Sequence, residues 1–310
     1  METYFLAASD GHQVACYRWL VESPKAVIQI AHGMGEHARR YDWVAQKLNE
    51  AGYSVFANDH RGHGDTAGPS TGYSFGYMGP DGWNRTLADM YELNREMRAQ
   101  YPDKPICLLG HSMGSMLSQQ YITRYGHSID ALALSGSPGF KESRFNFLNR
   151  WILKFEHWRL GPDGTSELMQ KALFGSANDP FDGPGATGSE WLSRDQAQVK
   201  LYVDDDKCGF VLTPGSLMDM SQGSAVSQSP AAIARVPRSL PVYIFSGSED
   251  PVHGEQKDLD RMVTAYRQAG FSDLTYKLYP GGRHEMFNET NREEVMDDLL
   301  SWLLVHLKEA

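Results

Sequence analysis

The chain has 310 residues, 41% of them hydrophobic and 22% charged, with a formal net charge of −10. That length can bury one large α/β core with an insertion, or at most two domains. The acidic surplus argues against a nucleic-acid partner and against simple electrostatic attraction to an anionic membrane. Three cysteines, Cys16, Cys107 and Cys208, are too few and too scattered for a disulfide framework or a zinc site.

From the amino end, residues 3–8 and 12–20 alternate in polarity and meet at Asp10-Gly11, which predicts a hairpin. The first ten residues lack a basic start and a long apolar core, and no stretch approaches the roughly 18 apolar residues of a membrane span. The expectation is a cytoplasmic protein. A third strand over 25–31 ends at His32-Gly33-Met34-Gly35. Tyr41, Val44, Ala45 and Leu48 form one face of a helix closed at Gly52. Residues 53–57 read as strand four, followed by the polar loop Asn58-Asp59-His60-Arg61-Gly62-His63-Gly64. A helix spans about 83–100 and stops before Pro102.

The apolar run Ile106-Cys107-Leu108-Leu109 reads as strand five, buried on both faces of a parallel sheet. Gly110-His111-Ser112-Met113-Gly114 follows, and Met113, Met116, Leu117 and Tyr121 then repeat with helical spacing. Strand, G-x-S-x-G and helix in succession are the context of a nucleophile elbow. The same five-residue expression also matches at residues 68–72 and 72–76, but neither match follows a strand or opens a helix.

Residues 129–135 are strand six, 241–246 strand seven and 274–279 strand eight, with helices over the stretches around 259–266 and 295–303. Strands alternating with helices predict an α/β fold with a mostly parallel eight-stranded sheet, helices on both faces and an antiparallel start. Between strands six and seven the alternation stops. The predicted organisation is core 1–137, cap 138–236 and core 237–310. An insertion leaving the carboxyl ends of the strands would cover the ligand crevice.

A serine hydroxyl needs a base in hydrogen-bond reach, and the base needs an acceptor to fix its tautomer. In this architecture the order is serine, acid, histidine, each on a loop after a strand. Strand seven ends in Ser246-Gly247-Ser248-Glu249-Asp250 and strand eight in Pro280-Gly281-Gly282-Arg283-His284. Ser112, Asp250 and His284 are therefore the candidate catalytic residues, with Glu249 and His253 as the alternatives for acid and base. The N–H groups of Met113 and Met34 are the candidate oxyanion donors. The stretch 59–65 also carries histidines and acids at spacings a metal could accept, as in a metallohydrolase. It has no second ligand cluster, and the elbow would be left unexplained, so no metal and no cofactor are expected.

Together these motifs resemble the α/β-hydrolase superfamily, in its monoacylglycerol lipase and bacterial lysophospholipase branch (a serine aminopeptidase-type hydrolase domain). His32-Gly33-Met34-Gly35-Glu36-His37 with Arg40-Tyr41 is similar to that branch's oxyanion loop, and 59–64 to its loop after strand four. Gly110–Gly114 is similar to its elbow. Gly247–Asp250 and Gly282–Glu285 are similar to its acid and histidine loops. In the insertion, 191–195 and 206–210 resemble the cap of bacterial members. Ser115 departs from the pattern, standing where elbows of the family commonly carry glycine.

The cap segment 145–160 holds Phe145, Leu148, Trp151, Ile152, Phe155 and Trp158, with Arg150, Lys154 and Arg159 among them. It reads either as packing of cap on core or as a lipid-facing surface giving peripheral membrane contact. Both readings imply an apolar acyl pocket, with Phe145, Trp151 and Phe155 as candidates to bind substrate. The resemblance implies a serine hydrolase of monoacylglycerols, lysophospholipids or related acyl esters. A broad carboxylesterase or a prolyl-type aminopeptidase are alternatives on the same fold, the latter needing cap acids such as Asp204-Asp205-Asp206 to hold an amine. A non-catalytic binding module is the alternative of another class.

Overall fold

The computed structural model describes residues 1–68, 71–140, 146–253 and 256–307, with backbone only for 146–150. Eight strands form one sheet: β1 (Glu2–Ala7), β2 (Gln13–Trp19), β3 (Ala26–Ala31), β4 (Tyr53–Asn58), β5 (Ile106–His111), β6 (Ala131–Ser135), β7 (Val242–Gly247) and β8 (Leu274–Tyr279). Their spatial order is β1-β2-β4-β3-β5-β6-β7-β8. β2 pairs antiparallel with β1 and β4, and every other pairing is parallel. The expected antiparallel start and parallel remainder are both present.

The chain-order helices are α1 (Asp42–Glu50), α2 (Gly82–Gln100) and α3 (Met113–Tyr125). Within the insertion come α4 (Asn146–Leu160), α5 (Glu167–Phe174), α6 (Gln196–Val203), α7 (Pro214–Ser227) and the single turn α8 (Pro230–Ile233). The core closes with α9 (Gln256–Gln268) and α10 (Arg292–His306). Two apolar layers flank the sheet. Leu87 and Met90 of α2, Leu117 and Tyr121 of α3, and Leu259 and Met262 of α9 pack on one face with Ile106 and Leu108. Val44 and Leu48 of α1 and Val295, Leu299 and Leu303 of α10 pack on the other with Cys107 and Leu109. Consecutive residues of β5 thus enter opposite layers, which is why that strand is apolar throughout rather than alternating.

The helical insertion between β6 and β7 is seated through α7, which packs on α2 and α3 of the core and on α4 of the insertion. Helix α4 turns Leu153 and Glu156 inward and leaves Trp151, Phe155 and Trp158 outward, 60%, 56% and 79% exposed. Among the described residues no helix is long and apolar enough to cross a membrane.

Candidate active site

Ser112 is the single residue between the end of β5 and the start of α3, at φ 52° and ψ −116°. A non-glycine residue with positive φ is strained, by about 1–3 kcal/mol, and persists only where its surroundings dictate it. Here its N–H donates to Ser135 O at 3.0 Å, and its carbonyl accepts from the N–H groups of Ser115 and Met116 at 2.9 and 3.2 Å. The neighbouring glycines let strand and helix close. A Cβ on Gly114 would collide with the carbonyls of Ala31 and His32, and one on Gly110 with Ser118 and Gly114. Ser115 carries a bond glycine could not: its buried hydroxyl donates to Ser112 O at 2.6 Å and lies 3.0 Å from Ser137 Oγ. The alternative serine match at 72–76 lies in a loop with Ser74 exposed, and Pro69 and Ser70 of the other lie outside the described residues.

Asp250 and His284, on the loops after β7 and β8, are both buried, with His284 Nδ1 2.9 Å from Asp250 Oδ2. Ser246 Oγ donates to the same oxygen at 2.9 Å, and Val252 N–H to Oδ1 at 2.8 Å. Burial alone would raise the Asp250 pKa, but the adjacent His284 and these donors hold it below its ordinary value. Burial likewise pushes the His284 imidazole down, and the Asp250 carboxylate overrides it, leaving the pKa raised. Glu249 is exposed, and His253 places Nε2 3.0 Å from Gly247 O.

His111, the residue before Ser112, has its ring 4.8 Å from that of His284. Burial depresses its own pKa to about 4, so it stays neutral beside the pair. Among the described residues no hydrogen bond joins Ser112 Oγ to His284, whose Nδ1 is engaged with Asp250.

The loop after β3 comes within contact of the elbow: a Cβ on Gly33 would lie 3.2 Å from Ser112 Cβ. A buried network shapes it. Glu36 Oε1 accepts from Gly33 N–H at 2.5 Å and from Tyr41 OH at 2.8 Å. Arg40 Nη1 donates to Glu36 Oε2 at 2.6 Å, and both of its terminal nitrogens donate to the Glu285 carboxylate at 2.7 Å. One guanidinium therefore ties the loop carrying Met34 to the loop carrying His284. Sequence reasoning named Glu36, Arg40 and Glu285 only within motifs. Their signal is weak, because charged residues in loops are usually solvated.

The stretch after β4 has a structural occupation. Asp59 accepts from Ala38 N–H, Asp65 N–H and Tyr17 OH. His32 Nε2 accepts from His60 N–H, and His63 Nδ1 sits 3.0 Å from Arg61 O.

From the cap, Trp191 lays its ring 5.1 Å from His284 and stacks on Phe174 at 5.5 Å. The backbone of 191–192 accepts from the N–H groups of His284 and Glu285 at 3.3 and 2.8 Å. The expected cap contributors are placed differently. Trp151 and Phe155 face solvent because the inward side of α4 is taken by Leu153 and Glu156, and Phe145 lies outside the described residues. Trp191 does approach the imidazole, with Phe174 stacked on it, and nothing in their spacing marked them for it.

Comparison with known proteins gives the chain a family. Residues 22–291 match the family Hydrolase_4, described as serine aminopeptidase, S33. The chain is 28% identical over 298 residues to a monoacylglycerol lipase of Mycolicibacterium smegmatis, covering 92% of this chain and 90% of that one. It is 28% identical to the monoglyceride lipase of Rattus norvegicus, covering 96% and 89%. A thermostable carboxyl esterase from Bacillus coagulans, solved with glycerol, superposes with a TM-score of 0.85 at 29% identity, covering 98% of each chain.

Proposed function

The chain belongs to the serine aminopeptidase S33 family of α/β-hydrolases, and from that premise we propose that it hydrolyses acyl esters, monoacylglycerols and lysophospholipids first among them. The carrying observation is the buried Asp250–His284 pair, its imidazole 4.8 Å from the ring of His111, the residue that precedes a strained Ser112. In the reaction His284 Nε2 takes the proton of Ser112 as the hydroxyl attacks the ester carbonyl. Met34 and Met113 N–H groups receive the oxyanion, and Asp250 holds the imidazole in the reactive tautomer and stabilises its charged form. His284 protonates the leaving alcohol, and water, activated by the same imidazole, then releases the acid.

Relatives that act on acyl esters support the ester over the amide. So does the cap. A peptidase that anchors a free amine needs an unengaged carboxylate, and four of the cap's are taken. Asp204 pairs with Lys200 and Asp205 with His37, Glu156 with Arg159 and Ser166, and Glu190 with Asn178 and Thr187. The outward face of Trp151, Phe155 and Trp158, flanked by exposed Lys154 and Arg159, suits shallow insertion at a lipid interface where monoacyl substrates reside.

The test is turnover across esters of graded acyl length, monoacylglycerols, lysophospholipids and peptide amides, with fluorophosphonate labelling mapped by mass spectrometry. Ester turnover with the label on Ser112 is expected. Faster amide turnover would overturn the substrate class, and a label elsewhere the nucleophile. Trp151→Ala/Phe155→Ala/Trp158→Ala should lose co-sedimentation with phosphatidylcholine vesicles while keeping turnover of a soluble short-chain ester. Undiminished vesicle binding would refute the lipid-facing role.

A further inference from the structure

Outside the site just described, one cluster joins the cap to the oxyanion loop. His37, Asp205 and Cys208 each present a ligand atom, and these atoms all lie within 4.8 Å of one another. His37 Nε2 is 2.9 Å from Asp205 Oδ2. We propose that this trio is a binding site for a borderline-soft divalent cation of the zinc type, and that occupancy clamps the cap on the oxyanion loop and lowers turnover.

The donor set suits such an ion: imidazole nitrogen, carboxylate oxygen and thiolate sulfur are its ordinary protein ligands. Tetrahedral coordination at usual bond lengths sets nitrogen and oxygen about 3.4 Å apart and nitrogen and sulfur about 3.5 Å apart. The existing separations, 2.9 Å between nitrogen and oxygen and at most 4.8 Å for the pairs with sulfur, bracket these values. His37 is buried, whereas the Asp205 side chain is 33% exposed, so one side of the site opens to water that can supply a fourth ligand. The surrounding charge is favourable. The nearby Arg40 guanidinium is already matched by Glu36 and Glu285 and the Lys207 ammonium by Asp65, and Asp204 and Asp206 flank the site in sequence. On binding, the Cys208 thiol loses its proton to solvent, the sulfur–metal bond forms, and Asp205 exchanges its contact with His37 for one with the ion.

Location gives the site its consequence. The loop of His37 also holds Met34, and the two segments already touch: Gly209 N–H donates to Gly35 O at 2.9 Å, and Arg40 sits 4.8 Å over the ring of Tyr202. A metal bridging them would make a labile contact between cap and oxyanion loop a fixed one. Composition concealed the site, because only one of its ligands is a cysteine and they stand far apart in the chain.

The binding test needs no substrate, so it stands or falls separately from the ester reading. Full-length protein freed of metal with a chelator is titrated with Zn2+ by calorimetry and with Co2+ by absorption spectroscopy. The expected result is one Zn2+ per chain, and a Co2+ form with a thiolate charge-transfer band and the strong visible bands of tetrahedral coordination. Cys208→Ser should abolish the band and weaken Zn2+ binding at least tenfold, and Asp205→Asn should weaken it too. Circular dichroism checks that both variants fold. No charge-transfer band, or equal affinity in Cys208→Ser, would overturn the site. Ester turnover should fall as Zn2+ fills the wild-type site and resist the same Zn2+ in Cys208→Ser. Equal inhibition of both proteins would overturn the clamp.

Discussion

Replacing Arg40 with methionine tests how the oxyanion loop is held. The side chain is nearly buried and makes three charge-assisted hydrogen bonds of 2.6–2.7 Å, one to Glu36 and two to Glu285. Methionine fills much of the volume, but leaves two carboxylates facing each other out of water. Breaking a buried ion network from one side costs about 3–5 kcal/mol. At about 2.1 cal/mol/K per residue, unfolding 310 residues carries an entropy of roughly 0.65 kcal/mol/K. The expected fall in Tm is therefore roughly 5–8 °C.

The loss should depend on pH in a definite sense. Burial alone would raise both carboxyls, and Arg40 holds them below their ordinary value in the folded chain. That stabilisation is present above the unfolded carboxyl range and fades as pH falls through the depressed folded values. Without Arg40 the folded carboxyls titrate high, and the fold gains by taking up a proton. The difference between wild type and Arg40→Met should thus be largest near pH 8 and shrink toward pH 5. Arg40→Met/Glu285→Gln should recover part of it by removing one of the facing charges. Scanning calorimetry at both pH values measures this. A melting temperature within a degree of wild type at pH 8, or a gap that widens at pH 5, would refute the reasoning.

The remaining predictions concern the chemistry and its pH limits. Ser112→Ala and His284→Ala should each reduce ester turnover by several orders of magnitude with the circular dichroism spectrum unchanged. Asp250→Asn should cost about 10⁴ in kcat, since the amide favours the wrong imidazole tautomer; an unchanged rate in any of the three would reject its role. His284 must be unprotonated to act as base and its pKa is raised, so kcat/KM should fall with acid through a value above the ordinary 6.5, and the Asp250→Asn remnant should fall at lower pH. His63 and His111 are buried with pKa values near 4. Above pH 6.5 both are neutral, folded or unfolded. Below it only the unfolded chain gains protons, so stability should decline between pH 6.5 and 4, by on the order of 3 kcal/mol for each group at most. Urea unfolding of His63→Gln should show a shallower decline than wild type.

What could be read from the sequence was whatever depends on short spacing. The run from Ile106 to Tyr121 encodes strand, turn and helix within 16 residues, so periodicity and two glycines suffice to locate Ser112. Asp250 and His284 follow because each lies on the loop after a predicted strand. Boundaries blurred where a polar residue enters the ladder or an apolar one leaves it: β6 starts at Ala131, two residues after the apolar Ile129 suggested. The cap was harder. Helix α4 spreads its apolar residues over a broad face broken by Lys154, Glu156 and Arg159, so its sequence does not say which of them turn inward; that is decided by α7, which lies more than 50 residues further on. Trp191 meets His284 only through the fold, and no local rule announces a contact between residues so far apart.

The same distinction explains where the site's rigidity comes from. Ser112 is held in a strained conformation by bonds from neighbouring elements, to Ser135 on β6 and from Ser115 and Met116 on α3, so the elbow is set by the core alone. The loops after β3 and β8 draw on the cap as well as the core. Core bonds such as Ala38 N–H to Asp59 and Glu249 N–H to Gly282 O are joined by one guanidinium shared between Glu36 and Glu285 and by backbone bonds to the cap at Gly209, Trp191 and Leu192. The proposed nucleophile therefore belongs to the sheet, while the histidine loop and the loop carrying one proposed oxyanion donor depend partly on the cap. Changes in the cap should alter turnover and substrate range without disturbing Ser112. Cap variants should accordingly keep labelling by a small fluorophosphonate even where they lose hydrolysis of long-chain esters, and loss of both together would contradict this division.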